Sequence, residues 1–391
     1  MKRERREFGL LGIILIIVST AIITSITTGV ILLNNSKASK NIKVSNDKDL
    51  QEFIDVYTSV LDDYYEDVNK EEMIDKAIEA MLNYLGDDYT TYLNSKETKE
   101  LTEKLNGTYE GIGVEIKEGN IINKVFDASP AKEAGLQTED KIIKINDEDV
   151  TNLSTTDLAK KIKTADNKKF KITVKREEQE IELEIEKKEL YVPAIDSKVI
   201  ENNGKKTGYI YISTFSDTVY NQFNAELKNL ENEGIENLVL DLRNNTGGYL
   251  KAATDISSLF LEKGKVIYSL ENKDVKDVYK DETKEARNYK VAVIINESTA
   301  SASEILSAAL KDSYNALLVG KKSYGKGKVQ QTANLKGGSM YKYTSAKWLT
   351  PNNVCIDKKG LSPDYEVDLQ VSEDGSVIDT QLNKALEVLG E

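Results

Sequence analysis

Histidine is absent from this sequence of 391 residues, and cysteine occurs once, at Cys355. Without histidine the chain has no Ser-His-Asp triad, no HExxH zinc site and few ways to bind a transition metal. A single cysteine excludes an internal disulfide and a cysteine-rich metal cluster. We therefore expect no metal site and a catalytic chemistry, if there is one, that works without imidazole.

Positive charge is also in deficit, because 53 basic side chains face 66 acidic ones and the net charge is −13. Such a surface repels a phosphate backbone, so nucleic acid is not expected as the main partner and a polypeptide is favoured. The hydrophobic content of 39% and charged content of 30% are typical of a globular protein. The length provides for two or three domains.

Charged residues are missing altogether from residues 9–33, "GLLGIILIIVSTAIITSITTGVILL". This run is long enough to cross the roughly 30 Å of a bilayer core as a helix. It follows the basic stretch 1–8, which predicts a cytoplasmic N-terminus. A cleaved signal peptide is the alternative, but the run exceeds a signal core and no A-x-A-like site follows. We expect a single-pass anchor in the cell membrane, a linker over 34–47 and an extracytoplasmic remainder.

The hydrophobic periodicity divides the rest of the chain into four blocks. Residues 48–106 show helical spacing, and 107–190 read as short strands with one helix, a compact β-rich module. Residues 191–371 alternate strands with helices, which indicates a mostly parallel α/β core, and 372–391 end in a helix. The expected fold is therefore an α/β core with an inserted β-rich domain, an N-terminal helical region and one transmembrane helix.

Small side chains in "NESTASASEI", residues 296–305, mark the junction between the strand "VAVII" and a helix. Ser301 is a candidate nucleophile there, and the N–H of Ala302 is a candidate oxyanion donor at the helix N-terminus. The alternative is structural, since Ser301 with Glu304 fits a capping box that needs no catalysis.

A nucleophilic serine in a chain without histidine requires a lysine as its base. That lysine must be neutral, which burial or a nearby cation achieves by lowering its pKa. Lys326, between two glycines in "SYGKGKVQQ", is the candidate, and an ordinary turn lysine is the alternative. The glycine turn of "NLVLDLRNNTGG", residues 237–248, offers Gly247 as a second oxyanion donor, with Gly248 next.

Seven segments resemble, in order, the carboxyl-terminal processing proteases, also called tail-specific proteases, which use a Ser-Lys dyad. They are "LGDDYTTYL", "YEGIGVEI", "ASPAKEAGLQTEDKIIKINDEDV", "LDLRNNTGG", "STASASEI", "GKKSYGKGKVQQ" and "TPNNVCIDKKGLSPDYEV". The resemblance implies that Ser301 is the nucleophile, Lys326 the general base and Gln330 the residue that orients it. Gly247 and Ala302 match the oxyanion pair. It also implies peptide hydrolysis without a metal or organic cofactor.

The β-rich module resembles a PDZ domain. Its "GIGV" stretch, Gly111, Ile112, Gly113 and Val114, matches the loop that captures a chain-terminal carboxylate, beside a strand that pairs with the peptide. The resemblance implies substrates with free, apolar C-termini and a PDZ domain that gates activity. It also implies a homodimer through 48–106, although the apolar stripe of that region fits an internal core equally well.

Two other functions remain open from the sequence. One is an inactive PDZ adaptor that keeps the protease scaffold, and the other is an amidase or esterase that uses the same dyad. The expected anchor suits several roles, among them a step in a signalling cascade, and the residues do not choose between them. A composition rich in Lys, Ile and Asn indicates a bacterial host.

Overall fold

The computed structural model describes residues 47–165, 168–202, 204–372 and 375–390, which fall into two compact units that meet in sequence at Ala77 and Ile78. In the first unit, helix α1 (Lys48–Asp63) begins at Asp47, whose carboxylate accepts hydrogen bonds from the backbone N–H groups of Asp49 and Leu50. Helix α2 (Lys70–Asn83) follows. The helical spacing expected from residue 48 onward is therefore found.

The expected membrane-spanning helix is corrected by the structure. Within the described ranges no helix is both long enough and apolar enough to cross a bilayer. The anchor that the sequence predicts at residues 9–33 lies outside the described residues. We therefore do not retain the transmembrane part of the predicted fold. The predicted single-pass location in the cell membrane depended on that helix and is not retained either.

The second unit includes the end of α2 and continues with a short strand and a helix. It contains strand β1 (Thr91–Leu93) and helix α3 (Ser95–Asn106). Asn94 caps α3 in a capping box with Glu97, and Gly107 ends it in the left-handed conformation with φ 67°.

The β-rich module that follows has an antiparallel sheet in the order β3-β4-β5-β7-β8, so strand β3 lies at an edge. Strand β2, which enters the module, pairs with β9, which leaves it, and this pairing closes the module at its base. Its elements are β2 (Thr108–Gly111), β3 (Val114–Lys117), β4 (Ile121–Val125), α4 (Pro130–Ala134), β5 (Lys141–Ile145), β6 (Glu148–Asp149), α5 (Thr155–Thr164), β7 (Lys169–Arg176), β8 (Gln179–Glu186) and β9 (Lys188–Tyr191).

The α/β core is built on a sheet in the order β10-β11-β12-β15-β16-β19, in which only the β10–β11 pair is antiparallel. Its elements are β10 (Ile195–Asn202), β11 (Lys205–Ile212), α6 (Val219–Asn232), β12 (Asn237–Asp241), α7 (Leu250–Ser257), β13 (Val266–Glu271), β14 (Lys276–Lys280), β15 (Lys290–Ile295), α8 (Ala302–Tyr314), β16 (Leu317–Gly320), β17 (Lys328–Asn334), β18 (Met340–Leu349), β19 (Tyr365–Glu366), β20 (Gln370–Val371), β21 (Val377–Ile378) and α9 (Thr380–Gly390).

Alternating side chains of the central strands serve two layers of helices. Leu238 and Leu240 of β12 pack with α6, α7 and α8 on one face of the sheet. Val239, between them, packs with α9 on the other face. Both faces are covered, which explains why these strands read as continuous apolar runs rather than as an alternating pattern.

A second sheet lies beside the first and has the order β1-β18-β13-β14, with β17 also paired to β18. Strand β1 runs antiparallel to the start of β18, where Thr91 is opposite Lys342. Residues near position 90 therefore lie beside a strand that is some 250 residues later in the chain.

The parallel strands bring three loops together. Strands β12, β15 and β16 are neighbours, and in a parallel sheet their carboxyl ends lie at the same edge. The loops that follow them carry the glycine turn, Ser301 and Lys326. Sheet topology alone therefore collects the candidate site from three separate stretches of sequence.

A buried ion pair holds α9 to the end of β12. Asp241 is only 2% exposed and accepts hydrogen bonds from Arg243 and, at 2.8 Å, from the hydroxyl of Tyr209. Both terminal nitrogens of Arg243 also donate to Asp379, just before α9, at 2.8 Å. These bonds to the two carboxylates outweigh burial and raise the pKa of Arg243, so the guanidinium stays charged inside the fold.

We expect Arg243→Met to lower the free energy of unfolding by about 3 kcal/mol or more, because it leaves Asp241 as a buried charge without its cation. Urea denaturation followed by circular dichroism measures this. The control is Lys251→Met, which removes an exposed ion pair with Asp255 and should cost about 1 kcal/mol or less. Equal midpoints for the two variants would contradict the prediction.

Candidate active site

Ser301 lies at the entrance of helix α8, in a backbone conformation that few residues other than glycine adopt. Its φ is 57° and its ψ is −118°. Ordinary N-cap residues are extended, as Ser154 is at the start of α5 with φ −64° and ψ 155°. A strained, half-buried serine at a strand-to-helix junction is typical of a functional site. This conformation favours the catalytic interpretation of Ser301 over a plain helix cap.

The carboxylate of Glu304 connects the loop that ends at Ser301 to the loop over residues 321–327, which carries Lys326 and is called the lysine loop below. Its Oε2 accepts hydrogen bonds from the backbone N–H groups of Ser301 and Lys326, both at 2.9 Å. Its Oε1 accepts from the hydroxyl of Ser323 at 2.6 Å and from the N–H of Gly325 at 2.7 Å. The two nitrogens that share Oε2 are therefore within about 6 Å of each other.

Glu304 is fully buried, and burial raises the pKa of its carboxyl while the four hydrogen bonds oppose that rise. The sequence pattern predicts Glu304 only as part of a helix cap. The capping-box pattern was a correct signal for the bond to Ser301, but the bonds to the lysine loop, about 20 residues later, leave no local pattern.

Two glycines let the lysine loop pack tightly on the chain that follows β18. A Cβ on Gly325 would lie 2.6 Å from the nitrogen of Gly360, and one on Gly327 would lie 2.6 Å from that of Asp357. Both distances are shorter than real Cβ contacts, so larger residues would push the loop away. The carbonyl of Lys326 accepts a hydrogen bond from the indole of the buried Trp348 at 2.8 Å.

The two lysines of "GKGK" have opposite environments. Burial, with repulsion from Lys342, lowers the pKa of Lys326, and Glu304 and Asp87 oppose this only in part. Lys328 forms an ion pair with Asp87 at 2.9 Å, and this hydrogen bond raises its pKa. Of the two, Lys326 is the one whose surroundings favour a neutral amine.

Segment 87–90, part of the "LGDDYTTYL" stretch, lies against these lysines. The sequence pattern predicts no role for its side chains. Hydrogen bonds to Asp87 from Thr344 and Thr90, both at 2.6 Å, and from Lys328 outweigh the opposing effect of burial and lower the pKa of Asp87 to about 2. The ring of Tyr89 lies 4.9 Å from the Nζ of Lys326.

Gln330, expected to orient Lys326, instead donates a weak hydrogen bond to the hydroxyl of Thr344 at 3.4 Å. A bulge between Val329 and Gln330 shifts the register of β17 on β18 at this point. Within the described residues, no hydrogen bond joins Gln330 to Lys326 or the hydroxyl of Ser301 to the Nζ of Lys326. The backbones of Ser301 and Lys326 are close together, but among the described residues their side chains form no hydrogen bond with each other.

The glycine turn packs directly against Ser301. A Cβ on Gly247 would lie 2.9 Å from the Cβ of Ser301 and 3.0 Å from the nitrogen of Ala302, and its φ is 97°. Its N–H donates to the side-chain oxygen of the buried Asn245 at 2.9 Å. In the described part of the chain, no hydrogen bond is made by the N–H of Thr246 or by that of Gly248, so Gly248 has a free donor in this turn next to Gly247.

The "GIGV" loop lies at the start of the edge strand β3. The carbonyls of Ile112 and Gly113 accept hydrogen bonds from the N–H groups of Ala131 and Phe126, at 2.8 and 3.0 Å. The N–H groups of Ile112 and Gly113 find no acceptor in the described ranges, although both residues are buried. Gly111 is also buried, and Val114 is half-buried at the start of β3.

Family models match three regions of the chain. A model of peptidase family S41 matches residues 206–367, a PDZ domain model matches 121–176, and a model of the activating protease CtpB N-terminal domain matches 22–98. These regions contain the α/β core, most of the β-rich module and the N-terminal helices.

Whole proteins are similar over most of their length. A probable CtpA-like serine protease of Staphylococcus aureus is 32% identical over 359 residues, which cover 90% of this chain and 72% of the relative. A probable CtpA-like serine protease of Staphylococcus haemolyticus is 31% identical over 383 residues, 96% of this chain and 76% of that one.

Among solved structures, the photosystem II D1 C-terminal processing protease matches with a TM-score of 0.52 and 24% identity, over 89% of this chain and 93% of that one. A putative S41 protease from Bacteroides fragilis matches with a TM-score of 0.50 and 19% identity, over 80% of this chain and 90% of that one. At these identities the two structures establish a shared fold.

We expect Glu304→Gln to lower the free energy of unfolding by about 3 kcal/mol. Each carboxylate oxygen accepts two donors, so in either orientation the amide of glutamine would turn its own N–H groups toward two of them. Urea denaturation compares this variant with Glu297→Gln, an exposed position in the same loop that should be neutral. Identical stability of the two variants would show that the four bonds contribute nothing.

Proposed function

The chain belongs to peptidase family S41, as a C-terminal processing-type serine protease with a PDZ domain, and on that premise we propose that it cleaves polypeptides near their C-terminus with a Ser301–Lys326 dyad. The chain is a peptide hydrolase. The observation that carries the dyad is the shared carboxylate oxygen of Glu304, which ties the backbones of both residues together.

In the proposed mechanism the hydroxyl of Ser301 attacks the scissile carbonyl carbon and passes its proton to neutral Lys326. The lysine then gives that proton to the leaving amine, and an acyl-enzyme remains on Ser301. Water, deprotonated by Lys326, attacks the acyl carbon. The bond from that carbon to the oxygen of Ser301 then breaks, and Lys326 returns the proton to the serine oxygen as the second product leaves. No metal or organic cofactor takes part in these steps.

The oxyanion that forms at each step requires two donors close to Ser301. Ala302 is the first residue of α8, so its N–H points out of the helix end and adds the positive end of the helix dipole. The glycine turn supplies the second donor. Because the N–H of Gly247 is bonded to Asn245, Gly248 serves as this donor unless the turn rearranges when substrate binds.

Gln330 is proposed to orient the amine of Lys326 once substrate is bound. It is four residues after Lys326, at the bulge of β17, and its bond to Thr344 is long enough to break at little cost. Engagement of Gln330 and Lys326 then requires a small side-chain rearrangement rather than a new fold. Hydrogen bonds of catalytic groups are often longer or absent before substrate binds.

The PDZ domain is proposed to bind the substrate tail. Ile112 and Gly113 are buried, and their N–H groups have no acceptor among the residues that the structure describes, so they suit a terminal carboxylate. The adjoining edge strand β3 suits an extended peptide. The half-buried Val114 and Ile116 of β3 favour apolar side chains in the tail. These features support binding of a free C-terminus before cleavage.

The dyad predicts that Ser301→Ala and Lys326→Ala each lower kcat/KM by about 1,000-fold or more, since each removes the nucleophile or its base. Cleavage of an unstructured protein with an apolar tail, followed by mass spectrometry, measures this. Ser298→Ala and Lys322→Ala, exposed neighbours in the same two loops, serve as controls. A Lys326→Ala variant that cleaves at the wild-type rate would exclude the dyad.

Tail capture predicts that amidation of the substrate C-terminus lowers kcat/KM at least about tenfold, because the loop at Ile112 and Gly113 then loses an anion that accepts charge-assisted hydrogen bonds. Matched peptides with free and amidated ends, assayed side by side, provide the comparison. Equal rates would show that the carboxylate is not recognised and would favour a general amidase or esterase.

A further inference from the structure

We infer that Tyr89 is a positioning residue for the base: its ring holds the Lys326 amine and shields it from water. This inference rests on the proposed dyad. Tyr89 does not touch the reacting atoms, and it is more than 200 residues from either member of the dyad in sequence. It reaches the site because β1, two residues later, adds to β18.

The ring of Tyr89 lies close to the side-chain nitrogens of two lysines. The Nζ of Lys326 is 4.9 Å from the ring centre and that of Lys328 is 5.7 Å from it. Lys328 has a carboxylate partner, Asp87, at 2.9 Å. In the described residues, Lys326 has no carboxylate at hydrogen-bond distance from its Nζ, and the Tyr89 ring lies within cation–π distance of it.

The ring affects the base in two ways. A lysine side chain has four rotatable bonds, and a ring packed against its end restricts the conformations that it samples. The ring also takes the place of water beside the amine, and an aromatic face solvates an ammonium less well than water does. Both effects favour a neutral amine held in one place, which is what a lysine base requires.

Neighbouring contacts hold the ring itself in place. Asp87 accepts a hydrogen bond from Thr344 of β18 and pairs with Lys328 of β17, and these two contacts anchor segment 87–90 beside the lysines. Burial, together with the neighbouring hydroxyl of Tyr324, raises the pKa of Tyr89 to about 12. Tyr89 is therefore neutral throughout the working range and adds no negative charge that would hold the proton on Lys326.

The pH dependence of the base follows from all the charges around it. The titratable and charged groups that act on Lys326 or on the Tyr89 ring are Asp87, Asp88, Glu304, Tyr324, Lys328, Lys342 and Asp357. None of them is altered by a substitution at position 89. A change in the pH profile of such a variant therefore reports on the ring.

The experiment measures kcat/KM against pH for wild type, Tyr89→Phe and Tyr89→Ala. The neutral lysine is the active form, so the rate rises with pH through the pKa of Lys326. In Tyr89→Ala water enters, this pKa moves up toward its ordinary value, and the rising limb shifts to higher pH by about one unit. Activity at neutral pH then falls about tenfold. Tyr89→Phe keeps the ring and should stay within about twofold of wild type.

Tyr343→Ala is the matched control, because Tyr343 is a half-buried tyrosine of β18 whose ring stacks on Tyr341 rather than on a lysine. It should leave the pH profile unchanged. Thermal melts establish that each variant is folded, and Tyr89→Leu, which keeps bulk without a ring, replaces the alanine variant if that one is not. For the leucine variant the limb should shift in the same direction.

Three results would overturn the inference: a Tyr89→Ala profile equal to wild type, a loss of rate with no shift of the limb, or a Tyr89→Phe variant as impaired as Tyr89→Ala. Failure of the proposed function is distinguishable from these. It would appear as a wild-type protein that does not cleave, or as cleavage that persists in Lys326→Ala.

Discussion

The site depends on one buried carboxylate. Glu304 belongs to the helix that Ser301 begins, yet three of its four hydrogen bonds come from the loop that carries Lys326. A buried carboxylate is unfavourable unless it is fully bonded, so the two loops must both be in place for the interior of the core to be stable. The same four bonds thereby stabilise the core and hold the backbones of Ser301 and Lys326, the two residues of the proposed dyad, close together.

The strands beneath the site explain why such a carboxylate can serve both loops. Strands β12, β15 and β16 end side by side. The loops that follow them carry the glycine turn, Ser301 and Lys326, respectively. Glycines allow the close contacts, as at Gly247, which touches both Ser301 and Ala302. The second sheet adds residues from an early part of the chain. Because β1 pairs with β18, Asp87 and Tyr89 lie beside the lysines.

Much of this arrangement could be predicted from the sequence, and the part that could not has a common physical reason. The α/β alternation, the β-rich module and the strand-to-helix junction at Ser301 are local patterns, and motif order indicated the family. Contacts made across the fold leave no local pattern, which is why Glu304 was interpreted only as a cap and segment 87–90 received no role. The membrane-spanning helix was inferred from the uncharged apolar run at 9–33, its basic flank and the lack of a cleavage site, and the described residues contain no such helix. The proposed contact between Gln330 and Lys326 stays a prediction.

The left-handed backbone at Ser301 also bears on the stability of the chain. A residue other than glycine in such a conformation lowers stability by about 1–3 kcal/mol, a sizeable fraction of what a domain has to spare. Glycine at position 301 would relieve this cost, but it would also remove the only hydroxyl that the proposed mechanism uses. At this position, then, backbone stability and the proposed chemistry favour different residues.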